Sequence, residues 1–351
     1  MRGLAFEGGG AKGAYQIGVV KALLEKGYKF DGFVGTSMGA VNAAVIAQGD
    51  FDKAIELWMN ISIVKIFERD AFLEKYIDEE KIRESGSDFG LVTISLSDRK
   101  PYELMLKDIP HGQLVSYVMA SASLPVFGTE TIDEKKYIDG AFYNNCPVNL
   151  LMEKGYDEII VIRTNALGVF RRIDDPRVTL ITPKVDLGNT MLFTHENIAE
   201  NLKFGYYDGL RFSENLRGSL YYILPVDADK FNLRVMSLPD SVMIEAGKLL
   251  GIRGMEAKRM FFEKIIPQLG AFMKLDKKFD YVDFVIALLE FSAEHYKIER
   301  LYIYDYDELR SLVKSANETE KIKEPHVLSR ILNSSAMKKK AAIKLLSEYL
   351  L

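Results

Sequence analysis

The chain has one cysteine, Cys146, among its 351 residues. That excludes an internal disulfide and any cysteine-cluster metal site. Histidine is nearly as scarce. His111, His195, His295 and His326 stand far apart, with no H-x-x-x-H spacing, so no zinc site is expected. No run of about 18 continuous apolar residues occurs, and no membrane-spanning helix is predicted. The start, Met1-Arg2-Gly3-Leu4-Ala5-Phe6, meets Glu7 and glycines at once. It lacks the apolar stretch of a signal peptide, and a cytoplasmic location is expected. An excess of positive charge is also missing. The net charge of −4 argues against a general nucleic-acid binder.

What is present points to a sizeable core. The 48% hydrophobic content suits a globular protein, and the length suits one large domain or two unequal ones. Leu4-Ala5-Phe6 is a short strand candidate, followed by the glycine-rich run Gly8–Gly13. Helical spacing then covers 14–26, with Ile17, Val20 and Leu24 on one face. A second strand ends at Ser37 and an apolar helix follows. Such alternation predicts an α/β fold with a parallel sheet. Further strands are expected at Phe89–Leu96, Glu158–Thr164 and Val178–Thr182. A hairpin turning at Asp133-Glu134-Lys135-Lys136 delivers Asp139-Gly140. Helices are expected over 50–86, 111–122 and about 188–208. Beyond about residue 210 the pattern is mainly helical and carries no glycine-rich loop.

Two segments carry chemistry. Gly35-Thr36-Ser37-Met38-Gly39 matches G-x-S-x-G and opens the apolar helix. On a sharp strand-to-helix turn the serine is lifted clear, and flanking glycines remove clashing side chains. About 0.1 such matches are expected by chance in this length, so an ordinary helix cap is the competing explanation. Gly8, Gly10 and Gly13 satisfy G-x-G-x-x-G, with Asp31 lying 18 residues on. A nucleotide-binding loop is one interpretation. The stretch Gly27-Tyr28-Lys29-Phe30 is too short and polar for the buried second strand which that fold requires. The other interpretation is an oxyanion hole. Four glycines in six positions let backbone N–H groups point at a developing negative charge.

A serine nucleophile needs a proton acceptor. His195 is the only histidine placed as a hydrolase triad would have it, within Phe193-Thr194-His195-Glu196-Asn197. Asp139 is the better candidate, emerging at a strand end where Gly140 permits a tight turn. A partly buried carboxylate against a serine can take its proton directly.

Taken together the chain resembles the patatin-like phospholipase family. The resemblance rests on the loop Gly8–Gly13, the elbow Gly35–Gly39, the A-S-x-x-x-P segment Ala120–Pro125 and Asp139-Gly140-Ala141. Asn145-Cys146-Pro147 matches a following N-x-P, and the coverage is roughly residues 3–209. It implies a three-layer α/β/α fold with a mostly parallel central sheet over 1–209, while the mainly helical region 210–351 lies outside the resemblance. It implies a Ser37–Asp139 dyad acting on phospholipids or lysophospholipids without a metal or cofactor. Oxyanion N–H groups would come from Gly8, Gly9, Gly10 and Met38, and Lys12 would steer a phosphate headgroup. The implied partner is a lipid at a membrane or micelle surface. A non-catalytic lipid-binding module is the alternative from another class.

Overall fold

A computed structural model describes residues 1–62, 69–171, 173–323 and 334–351. Two units divide the chain, Met1–Glu214 and Asn215–Leu351.

The first unit is ordered by an eight-stranded sheet. Its strands are β1 (Arg2–Phe6), β2 (Gly32–Thr36), β3 (Asp88–Ser95), β4 (Lys100–Met105), β5 (Glu130–Ile132), β6 (Lys135–Asp139), β7 (Glu158–Ile162) and β8 (Val178–Ile181). Strands β3, β2, β1, β7 and β8 lie side by side and parallel, while β4 and β6 run antiparallel to β3. Side chains on a strand alternate between faces, and the core divides accordingly. Leu4, Phe6, Phe33, Phe89, Leu91, Ile160 and Ile162 face one side. Ala5, Val34, Ile159 and Val161 face the other.

Helices cover both faces. The thick layer holds α1 (Gly13–Glu25), α2 (Met38–Ala47), α3 (Phe51–Asn60), α4 (Arg69–Tyr76), α5 (Glu79–Glu84) and α6 (Leu114–Ser121). The opposite face packs on α7 (Val148–Glu153) through Val148, Leu150 and Leu151. Helix α8 (His195–Glu214) returns to the thick layer through Ile198, Leu202 and Phe212. This is the α/β fold with a parallel sheet expected from the alternation, in the three-layer arrangement that the resemblance implies. The expected helical stretch 50–86 is α3, α4 and α5, with 63–68 outside the described residues. Strand β4 was not expected. Its sequence Lys-Pro-Tyr-Glu-Leu-Met has one buried residue, so no apolar run marks it.

One register detail places the site. β3 pairs with β4 over Gly90–Ser95, with β2 up to Val92↔Thr36, and with β6 from Thr93↔Asp139 onward. Because β4 overlaps both others, β2 and β6 must share the second edge of β3, end to end. The last residue of β2 and the last of β6 therefore meet head-on. The β5–β6 hairpin that makes this possible turns on Asp133 and Glu134, both at positive φ (48° and 62°), the geometry of a tight two-residue turn.

The second unit is mainly helical. Its buried core includes Tyr221, Phe261, Phe284, Leu288 and Leu346, with one short parallel strand pair, Tyr222–Ile223 and Ile303–Tyr304. The aromatic helix Tyr281–His295 buries Val282, Phe284, Val285, Ile286, Leu288 and Leu289 in that core. The apolar character of this stretch is thus spent on internal packing. Among the described residues no helix is long and apolar enough to cross a membrane.

Candidate active site

Ser37 sits one residue beyond β2, with φ 58° and ψ −133°, a conformation costing roughly 1–3 kcal/mol for a non-glycine residue. The turn persists because its neighbours leave no alternative. A Cβ on Gly35 would overlap the Gly39 carbonyl, and one on Gly39 would press on the Phe6 carbonyl. The Ser37 carbonyl accepts from the N–H groups of Ala40 and Val41, which starts α2. Its own N–H donates to the Ser121 hydroxyl at 3.0 Å. Ser37 is buried, with 6% exposure.

Asp139 is completely buried. Its N–H donates to the Ser123 carbonyl at 2.8 Å, and its Oδ1 accepts from the Ala141 N–H at 2.8 Å. Segment Ala120–Pro125 therefore touches the backbone of both residues. Oδ2 has no hydrogen-bond partner of standard geometry among the described residues. Burial pushes the carboxyl up to about 6, while the nearby Ser37 hydroxyl and the Ala141 N–H draw it down. The hydroxyl thus influences the carboxylate without a formed bond, and nucleophile–base contacts often tighten only with the reacting group in place.

The glycine loop lies against this pair. A Cβ on Gly8 would stand 3.0 Å from the Ser37 Cβ. The Gly8 N–H donates to the Asn145 carbonyl at 3.0 Å, so Gly8 anchors the loop. That corrects the expectation that it offers its N–H to an oxyanion. The Gly8 carbonyl accepts from the Thr164 hydroxyl at 2.9 Å and from Asn145 Nδ2 at 3.3 Å. Gly10 takes φ 56°, and a Cβ there would overlap the Thr190 carbonyl, which accepts the Ala11 N–H at 2.7 Å. The N–H groups of Gly9, Gly10 and Met38 have no acceptor among the described residues. Met38 opens α2, where an anion is favoured by free N–H groups.

Buried Glu7 holds the loop from behind. Its carboxylate accepts from Arg163 at 2.8 Å and from the N–H groups of Thr164 and Asn165 at 2.6 and 2.9 Å. Ser121 was marked in sequence only as part of the A-S-x-x-x-P segment, with no role given, while Glu7 and Thr164 were not singled out. A charged residue wedged between an apolar strand and the glycines marks Glu7. Nothing in sequence marks Thr164, which meets the loop only because β7 lies beside β1.

The remaining expectations separate clearly. Lys12 is half-buried at the end of the loop's 3-10 turn, immediately before α1. His195 is exposed at the first turn of α8, and no hydrogen bond joins it to Ser37 or Asp139 among the described residues. Asp31 precedes β2, at the end of the sheet opposite the glycine loop, and accepts the Arg2 N–H at 2.7 Å. It therefore cannot serve a ribose at that loop.

Ser121 supports the elbow in a way that can be measured. Ser121→Ala leaves the buried Ser37 N–H without an acceptor and is expected to destabilise by about 1–3 kcal/mol. Denaturant unfolding monitored by the buried Trp58 reads this; an unchanged midpoint contradicts it.

The fold and the turn around Ser37 define an α/β protein of the nucleophile-elbow class. A patatin-like phospholipase family model matches residues 4–71 and 62–152. Over this segment the chain is similar to the patatin-like phospholipase family. An uncharacterised NTE family protein of Mycobacterium tuberculosis is 28% identical over 175 residues, 46% of this chain and 48% of that protein. Lysophospholipase nte1 of Aspergillus terreus is 27% identical over 186 residues, 47% of this chain and 12% of that protein. Neuropathy target esterase sws of Drosophila melanogaster is 27% identical over 188 residues, 46% and 12%. The match spans about half the length of the mycobacterial relative and a small part of the other two.

Proposed function

We propose that the chain is a carboxylic-ester hydrolase acting on phospholipids or lysophospholipids, with its catalytic region within 1–209. The observation that carries this is the Asp139 carboxylate, buried, with Oδ2 unpaired and its pKa raised to about 6 beside a strained serine. The patatin-like family-model match and the lysophospholipase and esterase names of two relatives support the substrate class.

In this mechanism Ser37 Oγ attacks the ester carbonyl carbon and Asp139 takes the hydroxyl proton. Negative charge on the carbonyl oxygen is met by the N–H groups of Gly9, Gly10 and Met38; such donors are worth roughly 3–4 kcal/mol each. Collapse of the tetrahedral intermediate breaks the ester C–O bond, and Asp139 returns its proton to the departing alcohol. Water then attacks the acyl-enzyme and Asp139 takes its proton. The free acid leaves as that proton passes to Ser37 Oγ. Lys12 steers the headgroup phosphate. No metal or cofactor enters any step, and the substrate is met at a membrane or micelle surface.

The test is mass-spectrometric product analysis on a mixed lipid extract. Wild type is expected to release fatty acid from phospholipid or lysophospholipid species, and Ser37→Ala to release none. Identical product profiles from the two proteins rule the proposal out.

A further inference from the structure

We infer that the loop around Leu167 and the turn at Phe142 form a docking tip beside the Ser37 site. Its partner is the headgroup–acyl boundary of a phospholipid bilayer. Leu167 is 97% exposed, Phe142 55% and Val169 46%. Single exposed apolar side chains are ordinary, but a cluster is not, and these three are tied together. The Val169 N–H donates to the Ala141 carbonyl at 2.9 Å, and the Val169 carbonyl accepts the Asn145 N–H at 2.8 Å. Asn145 in turn holds Gly8, which lies against Ser37. The tip is therefore part of the wall that carries Asp139-Gly140-Ala141.

One arginine fixes the base of this tip, and a second suits it to phosphate-bearing lipid. Arg163 stacks on Phe170 at 3.8 Å while its guanidinium binds buried Glu7, which fixes the base of the loop. Arg171 stacks on Tyr143 at 4.4 Å, and the nearby Glu103 carboxylate stands 4.0 Å away, the outer limit of an ion pair. Its side chain is 44% exposed, leaving guanidinium donors for phosphate oxygens. An apolar tip with an aromatic-stacked cation beside it matches the layering of a bilayer surface, acyl chains below and phosphates above. The hydrolase proposal supports the choice of lipid over another partner, and the tip's geometry stands without it.

Vesicle co-sedimentation with phosphatidylcholine and phosphatidylglycerol tests the inference. Wild type and Ser37→Ala are expected to sediment alike. Leu167→Asp and Val169→Asp are expected to weaken binding by about tenfold each, with Arg171→Gln also weakened. These side chains face water, so unchanged thermal midpoints separate lost binding from lost folding. A second measurement uses Leu167→Trp. The native tryptophan, Trp58, is fully buried, so a blue shift on adding vesicles reports entry of the tip into lipid. Failure of wild type to sediment, or Leu167→Asp binding like wild type, overturns the inference, as does an unshifted Leu167→Trp emission. Loss of binding in Leu167→Asp together with full lipid turnover by Ser37→Ala would leave the docking tip standing and remove the Ser37 mechanism instead.

Discussion

Ser37→Ala is expected to lower kcat on lipid esters by about 10⁴-fold or more, with little change in KM. Deletion of the oxygen removes the covalent route while the glycine loop and cleft remain. The same change should abolish labelling by a fluorophosphonate, which reacts only with an activated serine. Backbone position and chemistry act together here. The φ of 58° at Ser37 is held by the packing of Gly35 and Gly39 and by the Ser121 hydroxyl, so alanine enters the same turn and the fold survives. Full turnover by Ser37→Ala would falsify the dyad. A folded wild-type protein that is never labelled would favour a non-catalytic lipid-binding role.

Asp139→Asn carries the second large effect, and it acts on two quantities in opposite directions. Turnover should fall by about 10⁴-fold, since an amide cannot accept the serine proton. Exposed His195, in contrast, should tolerate His195→Ala within about twofold. Wild-type kcat/KM should rise with pH through about 6, because only the ionised carboxylate is a base. Stability follows the reverse course. Burial raises this carboxyl from 3.8 to about 6, so the folded protein favours the protonated form. The stabilisation from holding that proton is complete below 3.8 and is lost as pH rises through 6. By pH 8 the difference amounts to about 3 kcal/mol. Asparagine is neutral at every pH and keeps the oxygen that accepts the Ala141 N–H. Asp139→Asn should therefore unfold at a higher temperature than wild type at pH 8, with the gap closing near pH 4. Thermal scans at the two pH values check this. An equal or lower midpoint at pH 8 contradicts a buried charge at this position.

The exposed tip and the Ser121 contact show how differently the parts of this molecule announce themselves. Leu167 and Val169 flank a glycine in a stretch without strand or helix periodicity, and their exposure follows from the backbone bonds to Ala141 and Asn145. The apolar helix Tyr281–His295 looks more membrane-like in sequence, yet it is buried in its own unit. Periodicity reports that a face is apolar. It does not report what covers that face.

By itself the sequence determined whatever depends on near neighbours along the chain. The small residues at Gly35 and Gly39, the glycine run, the hairpin turn and the βα alternation are local, and each has its own steric signature. Tertiary structure decided which distant groups meet. Asp139 lies beside Ser37, and His195 does not, because β6 continues the edge of β3 where β2 stops. The Gly8 N–H is committed because Asn145 returns across the loop, and Glu7 is held because β7 pairs with β1. Side-chain identity states what a group can do. Strand register, summed over many backbone hydrogen bonds and a buried core, sets which group is within reach.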